Sequence, residues 1–190
     1  MKKRILGLDI SSSTIGWCIL EYNDKTKKVK FVKCSYIKPL KSGTILERLK
    51  DTQNKIKSIL ETFKPDEIGI EEITKFMPRL SSAQTIITLA VFNRAVGLTC
   101  IDYLDKSPQM FNVMSLRHGL KLTAELPMKK DMPALVEKYL NINFPIEYKR
   151  NGKIKDETYD MADACIVATY YAFKLSGRLE SIKQTRQLLK

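Results

Sequence analysis

The chain has 190 residues, 44% of them hydrophobic, enough for one domain with a sizeable core. A formal charge of +12 favours an anionic partner, nucleic acid or an acidic membrane surface, and no apolar stretch is expected to reach the roughly 20 residues of a membrane span. One histidine and four cysteines without CxxC spacing argue against a His-rich or zinc site, so any metal must be held by oxygen ligands, which suits Mg²⁺ or Mn²⁺. The cysteines read as reduced core thiols. The basic start Met1-Lys2-Lys3-Arg4 precedes an apolar run broken by Asp9, a poor signal peptide, and the expected location is the cytoplasm.

Residues 4–10, 15–22 and 29–38 read as three strands. The first is apolar throughout, as a strand buried on both faces should be. The turn Asn23-Asp24-Lys25-Thr26 joins the second to a half-exposed third, making a lysine-studded antiparallel meander. Residues 45–63 have the spacing of an amphipathic helix, with Ile45, Leu49, Ile56, Ile59, Leu60 and Phe63 on one face and Pro65 after its end. Residues 67–73 form a fourth strand. A long helix runs from a Ser81 or Ser82 cap to about Leu104, apolar nearly all round, and is expected to be buried, in part within a dimer interface. Met110–Met114 reads as a fifth strand. Lys129–Leu140 reads as a short helix that accommodates Pro133 in its first turn. Residues 145–158 form a basic loop, and a last helix covers Tyr159 to Ser176. The order predicts one α/β domain over residues 1–176, a mixed β-sheet flanked by helices, with a basic tail over 177–190.

Carboxylates punctuate this pattern. Asp9 closes the first strand, and Glu71 and Glu72 close the fourth. Asp160 and Asp163 share a helix face at i and i+3. Each has a bland alternative. Asp160 and Asp163 fall in the predicted first turn, where the macrodipole favours negative charge. Asp9 has a capping role open to it on Ser11-Ser12-Ser13-Thr14. Strand alternation sends Glu71 and Glu72 to opposite faces, so only one joins a site. Together, several carboxylates in a basic chain suit paired divalent cations acting on a polyanion.

These residues resemble the RuvC-type Holliday-junction resolvases of the RNase H-like nuclease superfamily, a group with bacterial, phage and viral members. Ile5-Leu6-Gly7-Leu8-Asp9 through Gly16-Trp17 is similar to the family's first hairpin, Ile70-Glu71-Glu72-Ile73 to its Glu-bearing strand, and Asp160-Met161-Ala162-Asp163-Ala164 to its closing Asp-x-x-Asp-Ala helix. The resemblance implies Asp9, Glu71, Asp160 and Asp163 as catalytic ligands of two Mg²⁺ (or Mn²⁺) ions. It implies Lys130 or Lys121 as the active-site lysine, with Lys129 a close competitor for Lys130. Phe76, Arg79, Arg117, Lys121, Lys129 and Lys130 are the implied DNA contacts, Phe76 by stacking on junction bases. Ile10-Ser11 stands where the family has Gly or Pro-Gly, and the segment around Asn151-Gly152-Lys153 has no firm counterpart.

The implied function is resolution of four-way DNA junctions by a homodimer, using paired nicks that leave 5′-phosphate and 3′-hydroxyl ends, with no nucleotide cofactor and no membrane. A related nuclease cutting hybrid or flapped substrates is the first alternative. An actin-like ATPase is the second, weakened because Ile10-Ser11-Ser12-Ser13 lacks the glycines that cradle phosphate. A non-catalytic DNA-binding module is the third.

Overall fold

The computed structural model describes residues 1–73, 82–120 and 127–179. Its centre is strand β1 (Lys2–Ile10), whose Ile5, Leu6 and Leu8 are fully buried. It pairs antiparallel with β2 (Ile15–Asn23), which pairs antiparallel with β3 (Val29–Ile37). On its other side β1 pairs parallel with β4 (Glu67–Glu72), and β4 pairs parallel with β5 (Gln109–Asn112). The sheet order is β3-β2-β1-β4-β5.

Alternation along these strands builds two cores. Leu6, Leu8, Ile19, Ile68 and Ile70 pack with α1 (Ile45–Phe63) and α2 (Ala83–Leu104). Ile5, Cys18 and Leu20 face α3 (Val113–Leu120), α4 (Met132–Leu140) and α5 (Asp156–Ser176). All four cysteines are buried and free.

The mixed sheet and its flanking helices agree with the sequence reading, and α1 has the expected bounds, opened by a capping box between Thr44 and Glu47. Three local expectations need correction. The fifth strand stops at Asn112, whose side chain accepts the N–H of Met114 and so starts α3 where a strand was expected. The last helix begins at Asp156, three residues early, so Asp156 and Glu157 fill its first turn. Asp160 and Asp163 therefore sit in later turns, and the macrodipole does not account for them. Within the predicted loop 145–158, Tyr148 and Ile154 form an antiparallel bridge.

Helix α2 also departs from expectation. Its 22 residues are long and apolar enough, by length and composition, to cross a bilayer. One face is nevertheless committed to the core through Phe92, Val96 and Cys100. Ile87, Val91, Leu98 and Tyr103 are the large apolar residues it leaves exposed; Phe92 is fully buried.

Candidate active site

Strand alternation brings the acids to one place. Leu6, Leu8 and Ile10 point to the α1/α2 side of the sheet, so Gly7 and Asp9 point toward α5. The same alternation in β4 sends Ile68 and Ile70 to α1/α2 and Glu71 toward α5. The parallel register pairs Leu8 with Ile70. One residue beyond that rung stand Asp9 and Glu71, side by side on one face. Glu72 falls on the opposite face, where Arg94 of α2 pairs with it at 2.8 Å.

Two glycines let α5 close over these strands. A Cβ on Gly7 would lie 2.3 Å from the carbonyl oxygen of Ala164, and one on Gly16 would lie 2.0 Å from that of Asp160. No side chain fits at either point, so α5 rests on bare backbone. Gly16 is the cross-strand partner of Asp9. The contact between Gly16 and Asp160 thus delivers the Asp160 carboxylate to Asp9, and Asp163 follows three residues on.

The resulting electrostatics are strained. Burial pushes the Asp9 carboxyl well above its usual range, and Glu71, Asp163 and Asp160 add to the rise. Burial and the Asp163 charge push Glu71 up to about 7, against the pull of Arg117 and Lys129. Burial raises Asp163 to about 6 although Lys129 and Arg117 favour its charge. Crowded carboxylates of this kind lack positive charge.

Lys129 supplies part of it. It lies in a 3-10 turn, Lys129–Asp131, leading into α4, and its Nζ is 2.9 Å from Asp160 and 3.7 Å from Asp163. Burial works against its charge, but Asp160, Asp163 and Asp9 outweigh that and hold it protonated. A cavity of about 190 Å³ opens here, lined by Asp9, Glu71, Asp160 and Lys129. It is roomy enough to admit several waters or hydrated cations.

The donor set fits a divalent cation. Four carboxylates offer hard oxygen ligands, and their mutual repulsion is what a cation relieves. Among the described residues no group of three or more Asp, Glu, His or Cys side chains stands close enough to hold a metal ion as placed, and the Lys129 ammonium bridges Asp160 and Asp163.

The structure thus brings together Asp9, Glu71, Asp160, Asp163 and Lys129. Lys130 lies exposed on the same turn, and among the described residues none of the four acids pairs with it; the neighbouring Lys129 takes that position. Arg117 stands on α3, close enough for its charge to act on Glu71 and Asp163. Phe76, Arg79 and Lys121 lie outside the described residues, as do positions 180–190 of the tail.

Two supporting residues were missed from sequence. Asn93, 1% exposed, donates from Nδ2 to the carbonyl oxygen of Glu71 at 3.0 Å and so fixes the end of β4. Its signal was a lone amide within the apolar run of α2. Arg48 of α1 donates to the Ser12 carbonyl at 2.6 Å and lies over the Phe92 ring. Beside Asp9, Ser11 replaces the family's glycine without strain. Its hydroxyl accepts the Thr14 N–H at 3.0 Å and donates to the Thr14 carbonyl at 2.7 Å, closing the hairpin through a side chain.

Comparison with known proteins adds a family. Residues 5–169 match the family described as crossover junction endodeoxyribonuclease RuvC. A protein of that name from Ehrlichia ruminantium (strain Gardel) is 27% identical over 177 residues, 91% of this chain and 98% of the relative. Another, from Paramagnetospirillum magneticum, is 35% identical over 69 residues, 36% of this chain and 40% of the relative. Among solved structures, T. thermophilus RuvC in complex with Holliday junction substrate aligns with TM-score 0.66 at 14% identity, covering 93% of this chain and 96% of that one. The yeast mitochondrial Holliday junction resolvase Ydc2 aligns with TM-score 0.66 at 13% identity, covering 99% and 85%. At these identities the structural likeness concerns the fold.

Proposed function

Since the chain belongs to the RuvC family of crossover junction endodeoxyribonucleases, we propose that it is a metal-dependent endonuclease that cuts four-way DNA junctions. The observation that carries this reading is the convergence of Asp9, Glu71, Asp160 and Asp163, from three separate elements, into one cluster of mutually repelling acids, the first three lining one cavity, in a chain of charge +12.

In this reading the four acids would hold two Mg²⁺ or Mn²⁺ ions, which would supply Lewis-acid activation of a water and charge stabilisation at the leaving 3′ oxygen. Asp9 and Glu71, fixed on adjacent strands, and Asp160 and Asp163, on one turn of a rigid helix, hold their oxygens in place before DNA arrives. Lys129, held protonated at Asp160, offsets charge that builds on the phosphate during in-line attack. Asn93 keeps Glu71 at the depth of Asp9. Arg117, exposed Lys130, Phe76, Arg79 and Lys121 are candidate DNA contacts. The products are nicks with 5′-phosphate and 3′-hydroxyl ends.

A symmetric junction needs two matched cuts, which calls for a twofold homodimer. The exposed Ile87, Val91 and Leu98 of α2 form an apolar face suited to that interface. Residues 1–176 form the nuclease domain and 177–190 a basic tail, acting wherever the DNA is, in the cytoplasm of a cell or of an infected host.

The test is incubation of an end-labelled synthetic junction with the protein, with Mg²⁺ or with EDTA. Paired nicks that need Mg²⁺ and disappear in Asp9→Asn support the reading. Cleavage that survives EDTA or that substitution contradicts it.

A further inference from the structure

Residues 147–155, immediately ahead of α5, form a small projecting β-hairpin that the catalytic reading does not use. The N–H of Lys149 donates to the Lys153 carbonyl at 2.7 Å, and the N–H of Lys155 donates to the Glu147 carbonyl at 2.9 Å. Between them, Gly152 donates back to Lys149 at 2.9 Å with φ of +78°. This is a three-residue hairpin loop with its glycine in the left-handed position, the local geometry that a Lys-Arg-Asn-Gly-Lys sequence favours. The side chain of Asn151 accepts the Lys153 N–H at 3.2 Å and stiffens the tip.

The base of the hairpin is anchored to the body. Glu147 accepts from Tyr36 of β3 and from Lys155, and its N–H donates to the hydroxyl of Thr158 in α5. The tip is not anchored. Residues 148–153 are all exposed, and Tyr148 is 59% exposed. Lys149 pairs with Asp156, but Arg150 and Lys153 have no carboxylate partner among the described residues. Across 147–155, Lys149, Arg150, Lys153 and Lys155 face the single carboxylate Glu147.

The hairpin also stands beside the acids. Asp156 lies one helical turn before Asp160, a rise of about 6 Å, and feels the charge of Lys129. The base of the hairpin also rests at the end of the sheet that carries Asp9, since Tyr36, bonded to Glu147, pairs with Gly16 and Gly16 with Asp9.

We propose that this hairpin is a second DNA contact, gripping the phosphate backbone of a junction arm as it leaves the active site, with Arg150 and Lys153 on phosphates and Tyr148 against a sugar or base. A stiff backbone, unpaired cations and an exposed ring suit a polyanion with flat bases. An acidic membrane would equally attract the cations, but the tip offers one aromatic and no apolar face to insert.

The inference rests on the reading of the chain as a DNA enzyme. Its test is fluorescence anisotropy of labelled four-way junction and linear duplex in EDTA over a range of salt concentrations. The proteins are wild type, Arg150→Ala/Lys153→Ala, Tyr148→Ala and the control Lys25→Ala/Lys28→Ala. The control removes the same charge from the β2–β3 turn at the far end of the sheet. Each phosphate contact adds about 0.9 to the slope of log affinity against log salt, so the hairpin double variant is expected to lose about 2 from that slope and about 10- to 60-fold in affinity near 0.1 M salt. Tyr148→Ala should weaken binding with the slope unchanged, and the control should change little. A hairpin variant that binds like wild type, or a control that loses as much, overturns the proposal. If the slope falls but wild type does not prefer junction to duplex, the hairpin contact stands and the junction reading fails.

Discussion

Removing the charge of Glu71 should destroy function and stabilise the fold. Folding carries this carboxyl from its ordinary 4.5 to about 7, because burial and the Asp163 charge disfavour ionisation. For an acid raised in the folded state, the cost is absent below its unfolded value. It grows between the two values and is complete above the folded one. At about 1.4 kcal/mol per pH unit, that cost reaches about 3 kcal/mol above pH 7. Glu71→Gln keeps the shape, loses the charge and also relieves Asp9, for which Glu71 is the largest charged neighbour raising its carboxyl. The net charge of +12 acts in the opposite direction, but it is spread over the surface and screened beyond about 8 Å at physiological salt. Urea unfolding in EDTA should therefore show Glu71→Gln more stable than wild type by up to about 3 kcal/mol at pH 8, roughly 6–12 °C in Tm for a domain of this size. The gap should close toward pH 4.5. Added Mg²⁺ should narrow it at pH 8 by binding the folded wild type more tightly. A variant no more stable than wild type at pH 8 in EDTA would refute the argument that the acids repel one another across an uncompensated site.

Asp9→Asn should abolish cleavage while junction affinity holds or rises, since a charge that repels phosphate is lost; gel-shift and cleavage assays on one preparation decide this. Lys129→Met should lower the cleavage rate at saturating DNA by at least about 100-fold, and Lys130→Met by far less; equal losses would place both lysines at the phosphate. Leu98→Glu should turn a dimer into a monomer in sedimentation and replace paired cuts with single nicks, whereas Phe92→Glu, which buries a charge, should unfold the chain; a Leu98→Glu dimer rules out α2 as the interface. Gly16→Ala should fail in both stability and cleavage, because its methyl group would collide with the Asp160 backbone at 2.0 Å, and a variant that melts like wild type would contradict that packing.

The sequence was most informative where one periodicity held throughout an element. The apolar first strand, the amphipathic α1 and the alternation that separates Glu71 from Glu72 are all local patterns, and the strands and helices follow them. Side-chain competition with the backbone hid the rest. Asn112 ends β5 by capping α3, and three polar residues ahead of Tyr159 are already helical because Asp156 and Glu157 suit a first turn. The sidedness of α2 was not readable, since apolar residues surround it and only packing on β4 and α1 selects Phe92 over Leu98 for burial. The choice of Lys129 over Lys130 likewise depended on the phase of a single 3-10 turn.

A plasmid that extrudes a cruciform distinguishes paired from unpaired cutting in one reaction. With Mg²⁺, the expected result is linear product from two nicks placed symmetrically across the junction, carrying 5′-phosphates, and intact plasmid when Asp9→Asn replaces the wild type. An untouched cruciform together with efficient cutting of an RNA–DNA hybrid would contradict it, and would make this arrangement of four acids the site of a different nuclease.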